Sequence, residues 1–175
     1  MSPDAPKRLT LWSLPSPIGP IALACDPDGR VRGASFADGL ERAMRRVWPG
    51  AELHPGPAPE PVRAALEAYF AGEAEALARI AWSLDGAAAG DGFQLRVWRA
   101  LAEIPAGVTI SYGEMAKRAG EPGAAQAAGV ALNRNPIPLV LPCHRVVGAD
   151  GAMVGFGGGL ERKTWLLRHE GALLI

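Results

Sequence analysis

Between Leu84 and Gly92 the sequence runs LDGAAAGDG, and the spacing of apolar residues differs on its two sides. Far upstream, strand-like segments alternate apolar and polar residues with the period of two that half-buried strands need, and two helical segments follow them. Downstream, apolar residues recur three and four apart, the period of a helix. The Gly- and Ala-rich stretch reads as a linker and the charge balance changes sign there, so the chain is expected to fold as two units joined at it. The boundary is placed between residues 88 and 89. The expected fold class is α/β (α+β): a small N-terminal antiparallel β-sheet domain with helices over 1–88, then a mainly helical C-terminal domain with a helix-turn-helix over 89–175.

In the first unit, LTLWSLPS and PIALACD read as strands separated by the turn-forming SPIGP, and after the turn DPDG the segment RVRGASFAD alternates like a third. Three such strands in succession predict an antiparallel meander. Residues 38–48 read as a helix. The proline-rich PGAELHPGPAPEP that follows predicts a loop. A second helix is expected over 61–77, with Pro61 in the first turn, where a missing N–H costs nothing.

Beyond the linker, FQLRVWRALAEI sets Phe93, Val97, Trp98, Leu101 and Ile104 at helical spacing. YGEMAKRAG predicts a short helix closed by Gly120, and AAQAAGVALNRN a second one halted before Pro136. Two short helices around a tight Gly-containing turn form a helix-turn-helix pattern. The second helix is nearly bare, with Ala124, Ala125, Ala127, Ala128, Gly129 and Ala131 in its middle. Helices that read the major groove carry long polar side chains; this one suits either close helix packing or a narrow place such as the minor groove.

Charge narrows the partners. The chain holds 18 basic and 18 acidic residues, which argues against a strongly basic nucleic-acid binder. Through residue 91 there are 9 basic and 12 acidic residues, and afterwards 9 and 6, so a polyanion contact is expected in the second half. No apolar run approaches the ~18 residues of a membrane span. MSPDAPKRLT lacks the apolar core of a secretion signal, so a cytoplasmic protein without membrane contact is expected. Cys25 and Cys143, with His54, His144 and His169 widely spaced, match no zinc-ligand pattern. No metal and no cofactor are expected, and both thiols should be reduced.

The densest chemistry lies in PLVLPCHRVVG. Leu139, Val140 and Leu141 read as a buried strand, ended by Pro142, which cannot donate to a ladder. Cys143 is then expected at the strand exit, beside His144. A thiol of pKa roughly 8.5 is mostly protonated at neutral pH and only the thiolate attacks, so an adjacent base is a natural partner. Neighbours on a strand point to opposite faces. Either the backbone is irregular after Pro142 or a water relays the proton, and the relay is preferred. An ordinary buried cysteine is the alternative. Near the C-terminus, LERKTWLLRHEG reads as an amphipathic helix capped by Gly171. Glu170 sits where the helix dipole disfavours a carboxylate, which suggests a task such as accepting a hydrogen bond from His144. Asn135 is placed to brace the turn into the strand, and His169 is expected to face solvent. GFGGGL (155–160) lacks the context and the lysine of a phosphate cradle, although its N–H groups could meet a ligand.

PCHRVVG, preceded by NPIPLVL and followed by GFGGGLERKTWLLRHEG, resembles the O6-alkylguanine-DNA alkyltransferases (methylated-DNA–protein-cysteine methyltransferases). The resemblance runs from about Phe93 to Gly171 and includes FQLRVWRALAEIPAG, TISYGEMAKRAGEPGAA and the Asn135–Pro136 pair. SPIGPIALACDPDG and AYFAG are similar to the family's ribonuclease H-like N-terminal domain. The resemblance implies a single-turnover repair protein that binds double-stranded DNA from the minor groove, flips out O6-alkylguanine (with O4-alkylthymine as a second candidate substrate) and takes the alkyl group irreversibly onto its own cysteine. It implies a monomer. It makes Cys143 the acceptor, His144 with a bridging water the base, and Glu170 the holder of His144. Asn135 would brace the active-site network, and Tyr112 would donate a proton to guanine N3. The carbonyls of Cys143 and Val146 would accept from the exocyclic amine, the N–H of Gly157 would meet O6, and Pro138 and Phe156 would wall the pocket. The second helix would carry the DNA contacts: Ala124, Gln126, Ala127 and Ala128, with Tyr112 and Arg134 nearby.

One position departs from the family. An arginine usually fills the gap left by the flipped base, and here the matching residue is Gln126, shorter and uncharged. An alkyltransferase-like protein, which senses alkylated DNA without removing the group, is therefore the alternative; those relatives lack the cysteine. A cysteine hydrolase built on Cys143, His144 and Glu170 is a third reading, for which the sequence suggests no acyl pocket.

Overall fold

Strands β1 (Arg8–Leu14), β2 (Ile21–Cys25) and β3 (Val31–Ser35) form the expected meander in a computed structural model that describes residues 3–36, 38–88, 92–151, 156 and 158–172. Register pairs Thr10 with Cys25 and Leu14 with Ile21, and β3 returns antiparallel on β2 with a shift between Ala24 and Cys25. Helix α1 (Leu40–Val47) buries Leu40, Met44 and Val47, one stripe at helical spacing.

Two expectations for this unit are corrected. The proline-rich segment is not all loop, because Glu52–Pro55 forms β4, parallel to β1 with Arg8 opposite Glu52. A parallel partner needs a crossover, which α1 supplies. The strand is short, mostly exposed and at the sheet edge, where a proline is tolerated, so it carries no alternating pattern to read. The following helix, α2 (Glu60–Phe70), stops well before residue 77. Gly72 adopts φ 122°, and the N–H groups of Gly72 and Glu73 return to the carbonyls of Tyr69 and Ala68, closing the helix end. Ala74–Arg79 continues only as a 3-10 turn. The sheet order is β3-β2-β1-β4. A buried Arg32 pairs with Asp26 at 2.8 Å and lies over Trp48, whose indole donates to the Arg32 carbonyl.

By contacts the chain divides into Met1–Ala89 and Gly90–Ile175. In the second unit α3 (Gly92–Leu101) packs on α5 (Ala125–Asn133), where the Trp98 indole donates to the Ala131 carbonyl at 2.7 Å. Ala128 and Ala131 are fully buried at this contact, so small side chains on that side of α5 serve close packing. Helix α4 (Tyr112–Arg118) begins at Ser111, whose hydroxyl accepts from the Glu114 N–H, and ends in a Schellman turn: Gly120 has φ 88°, and the Glu121 N–H reaches the Ala116 carbonyl. With α5 it forms the helix-turn-helix. Two short strands, β5 (Ile110–Ser111) and β6 (Val146–Val147), pair in parallel and bring the start of α4 beside the cysteine segment. Helix α6 (Leu160–His169) closes the unit.

Leu139–Leu141 is not a strand. The segment is buried but bent: Leu139 has φ 76°, the only positive value among the described non-glycine residues, and the Leu141 N–H returns to the Ile137 carbonyl. An apolar run of three carries no periodicity that separates a strand from a buried turn.

Candidate active site

The bend presents the cysteine. Pro142 forms an inverse γ-turn (φ −80°, ψ 71°) in which the Cys143 N–H donates to the Leu141 carbonyl at 2.8 Å. Cys143–Arg145 then makes one 3-10 turn. This removes the geometric objection raised by a strand, since successive residues of a 3-10 turn are about 120° apart rather than opposed. Asn135 holds the bend from both sides: its amide donates to the Leu141 carbonyl at 2.9 Å and its oxygen accepts from the Ile137 N–H at 3.0 Å. The same side chain works against burial to lower the Cys143 pKa.

Behind the thiol lies a buried polar chain. His144 Nε2 is 2.8 Å from Glu170 Oε2, with both side chains fully buried. Arg145 grips the same carboxylate with two bonds, Nε to Oε1 at 2.8 Å and Nη2 to Oε2 at 2.9 Å, and its Nη1 donates to the Ile104 carbonyl at 2.6 Å. A Schellman turn fixes the end of α6 and with it Glu170: Gly171 takes φ 77°, its N–H returns to the Arg168 carbonyl, and the Ala172 N–H to that of Leu167. Glu170 is thus the C-cap residue, turned inward.

The charges follow. Burial alone would raise the Glu170 carboxyl, but hydrogen bonds and charge from His144 and Arg145 win and hold it down at about 2. An ionised carboxylate only accepts, so His144 Nε2 must donate to it. The proton then sits on Nε2 and Nδ1 is left as a bare acceptor. Nδ1 is buried with no partner among the described residues. Burial lowers the imidazole pKa more than Glu170 raises it, keeping the ring neutral. Burial raises the Cys143 thiol, which Asn135 and Lys163 pull back in part, so the resting group is a thiol beside a neutral base.

The sequence reading missed Arg145 and Lys163. Lys163 is fully buried and donates from Nζ to the Val146 carbonyl at 2.7 Å, while burial lowers its pKa and Cys143 pulls it up. A signal existed: Lys163, Leu166, Leu167 and Glu170 follow i, i+3, i+4, i+7, which puts two charges on the apolar stripe of α6. Arg145 carries no such periodic mark.

The other candidates are distributed as follows. Tyr112, at the start of α4, is half-buried; burial and then Cys143 raise its pKa, so the two groups are electrostatic neighbours. Phe156 stands edge-on to the His144 ring with centroids 6.5 Å apart, and Pro138 is half-buried in the bend. Gly157 lies outside the described residues. On α5, Gln126, Ala127 and Arg134 are exposed and Ala124 is partly so. Ala128, expected as a DNA contact, is fully buried and belongs to the packing face instead. His169, expected in solvent, is half-buried and stacks on Trp165 at 4.6 Å. Among the described residues no three His, Cys, Asp or Glu side chains cluster as a metal site.

The shifted groups give stability a pH signature. His144 is depressed in the fold, so its contribution is full above its ordinary value of 6.5 and is lost as pH falls below it. Glu170 is also depressed; its contribution is full above 4.5 and is lost as pH falls toward about 2. Melting temperature should therefore fall on acidification in two stages, the first beginning just below pH 6.5. The first stage should be absent in His144→Gln, which has nothing to protonate. Identical melting profiles for the two proteins above pH 4.5 would contradict this account of the imidazole.

Residues 92–172 match the family model described as 6-O-methylguanine DNA methyltransferase, DNA binding domain. The methylated-DNA–protein-cysteine methyltransferase of Shigella flexneri is 39% identical over 173 residues, covering 96% of this chain and 99% of that protein. The protein of that name from Mycobacterium leprae is 45% identical over 158 residues, 90% of each chain. A crystal structure of Mycobacterium tuberculosis OGT in complex with DNA superposes with a TM-score of 0.74 at 37% identity, covering 94% of this chain and 92% of the other. An O6-methylguanine-DNA methyltransferase from Pyrococcus kodakaraensis superposes with a TM-score of 0.63 at 28% identity, covering 93% and 99%.

Proposed function

The chain belongs to the methylated-DNA–protein-cysteine methyltransferases, and from that premise we propose that Cys143 is the atom-level acceptor, with His144 and Glu170 behind it. Direct reversal of DNA alkylation is the family's work and this protein's, with DNA as its partner. The observation that carries the assignment of Cys143 is the orphaned Nδ1 of His144: a buried proton acceptor, one residue from a buried thiol, whose other nitrogen is committed to Glu170.

The chemistry runs as a single displacement. The Cys143 proton passes to Nδ1 of His144, through a bridging water, as sulfur attacks the alkyl carbon on O6. The carbon–oxygen bond breaks, the carbon–sulfur bond forms, and the electron pair returns to the purine. Tyr112 donates a proton to guanine N3 and regains one from the imidazolium, so one proton moves from thiol to guanine overall. Glu170, kept ionised, steadies the imidazolium while it exists. Asn135 holds the bend that aims the thiol. The carbonyls of Cys143 and Val146 would accept from the exocyclic amine; that of Val146 also takes the Lys163 ammonium. Gly157 would meet O6, and Pro138 and Phe156 would wall the pocket.

A base in the duplex is out of reach of a buried thiol, so the guanine must be flipped out, with α5 in the minor groove. Ala124, Gln126 and Ala127 would lie against DNA, and Arg134 and Tyr112 beside it. The protein would act as a monomer in the cytoplasm; among the described residues no helix is long and apolar enough to cross a membrane. Incubation with O6-methylguanine duplex DNA should replace one proton by one methyl group, on the peptide that holds Cys143. Unmodified folded protein alongside intact lesion would reject the assignment.

Gln126 offers a separate expectation. Arg134 cannot stand in for the usual arginine, because eight residues along a helix is about 12 Å. Gln126→Arg should speed transfer from duplex DNA by several-fold while changing the reaction with free O6-benzylguanine much less. Equal acceleration of both would mean that flipping is not what Gln126 limits.

A further inference from the structure

Three large apolar side chains are exposed among the described residues, and one of them, Val130 at 47%, stands on α5. The exposed side chains of that helix and its cap are Gln126, Ala127, Val130, Asn133 and Arg134. These positions follow helical spacing and form one stripe. Val130 lies at its centre, roughly 6 Å along the axis from Gln126 and as far from Arg134. The opposite side of the helix is settled, with Ala128, Ala131 and Leu132 buried and the Ala131 carbonyl taken by Trp98.

We propose that Val130 is a DNA-contacting residue, an apolar wedge that packs against the sugar walls of the minor groove next to the flipped nucleotide. The proposal rests on the reading of α5 as the helix that enters that groove. Three observations favour DNA as the occupant of this face. The stripe carries no acidic side chain, the unit that holds it has the chain's excess of basic residues, and the family model matching that unit is a DNA-binding domain. A β-branched apolar side chain at the centre of a polar stripe gains nothing from water. It does gain from burial against the apolar sugar edges of a groove, and apolar side chains are common in proteins that enter the minor groove. The contact also bears on the departure at Gln126. A glutamine cannot stack in the vacated space as a guanidinium does, and a wedge one turn away would hold the duplex open by filling volume beside it.

The test compares transfer from O6-methylguanine duplex DNA with reaction of free O6-benzylguanine, which needs no groove. Val130→Ala, which is helix-favouring and exposed, should lower the ratio of duplex rate to free-base rate roughly five- to ten-fold. Val130→Asp should lower it further, by repulsion from phosphates. Gln126→Ala is run beside them. If Gln126→Ala lowers the ratio and both Val130 variants leave it unchanged, α5 faces DNA but Val130 is idle, and the proposal falls alone. If no variant moves the ratio, the reading of α5 falls with it.

Discussion

Replacing Cys143 with serine is expected to abolish transfer, lowering the rate from duplex O6-methylguanine by at least about a thousand-fold, because a hydroxyl is far harder to ionise than a thiol and is a weak nucleophile unless activated. The intact mass of the serine variant should stay unchanged after prolonged incubation, with the lesion still in the DNA. Folding should survive, since the site is held by Asn135, the γ-turn and the Arg145–Glu170 pair, none of which uses sulfur as its main support. The variant should therefore retain lesion binding. Removal of the methyl group at an undiminished rate would end the case for Cys143. The resting thiol also limits how the site can work. Its pKa is raised by burial, so little thiolate is stored before substrate arrives. The proton must leave during reaction, and the adjacent neutral imidazole is the group with a free acceptor atom.

The second large effect concerns Arg145. Arg145→Met removes two hydrogen bonds from the buried Glu170 carboxylate, and breaking a buried pair from one side costs about 3–5 kcal/mol. For a unit of this size that should lower the melting temperature by more than about 10 °C. Transfer should fall as well, because a Glu170 no longer held ionised can share the imidazole proton and loses its grip on the ring. Arg145→Lys should recover only part of the loss, since a lysine cannot reproduce the two parallel bonds or reach Ile104 at the same time. The double variant Arg145→Met, Glu170→Gln should be more stable than the sum of its single changes. Thermal denaturation of the four proteins measures this coupling. A single Arg145→Met change that costs under about 1 kcal/mol would show that the pair is spectator to the fold.

How much of this was legible in the sequence depends on whether local pattern or distant contact fixes each feature. The meander, α1, the helix-turn-helix and α6 were readable, because their apolar positions repeat and their ends carry Gly120 and Gly171. Strand β4 was hidden because its partner is β1, more than forty residues away, and its side chains are mostly exposed. Leu139–Leu141 misled because a buried run of three apolar residues fits a strand as well as a bend, and its left-handed leucine is held by Asn135 and Ile137 rather than by its own preference. At the site, the residues of the Pro-Cys-His-Arg motif were found as a group, and the placement of Glu170 against its dipole pointed to His144. The charge structure around them was not. Arg145 and Lys163 reach their partners through a tertiary arrangement that no spacing within the motif reports.

The order β3-β2-β1-β4 gives the beginning of the chain an unusual responsibility. Residues 10–14 pair with β2 on one flank and residues 8–11 with Glu52–Pro55 on the other. During synthesis that ribbon must wait, half satisfied, until residue 55 has emerged from the ribosome. A message translated from a start a few codons past Leu14 would not trim a border from this protein; it would take out the plank on which two others are nailed.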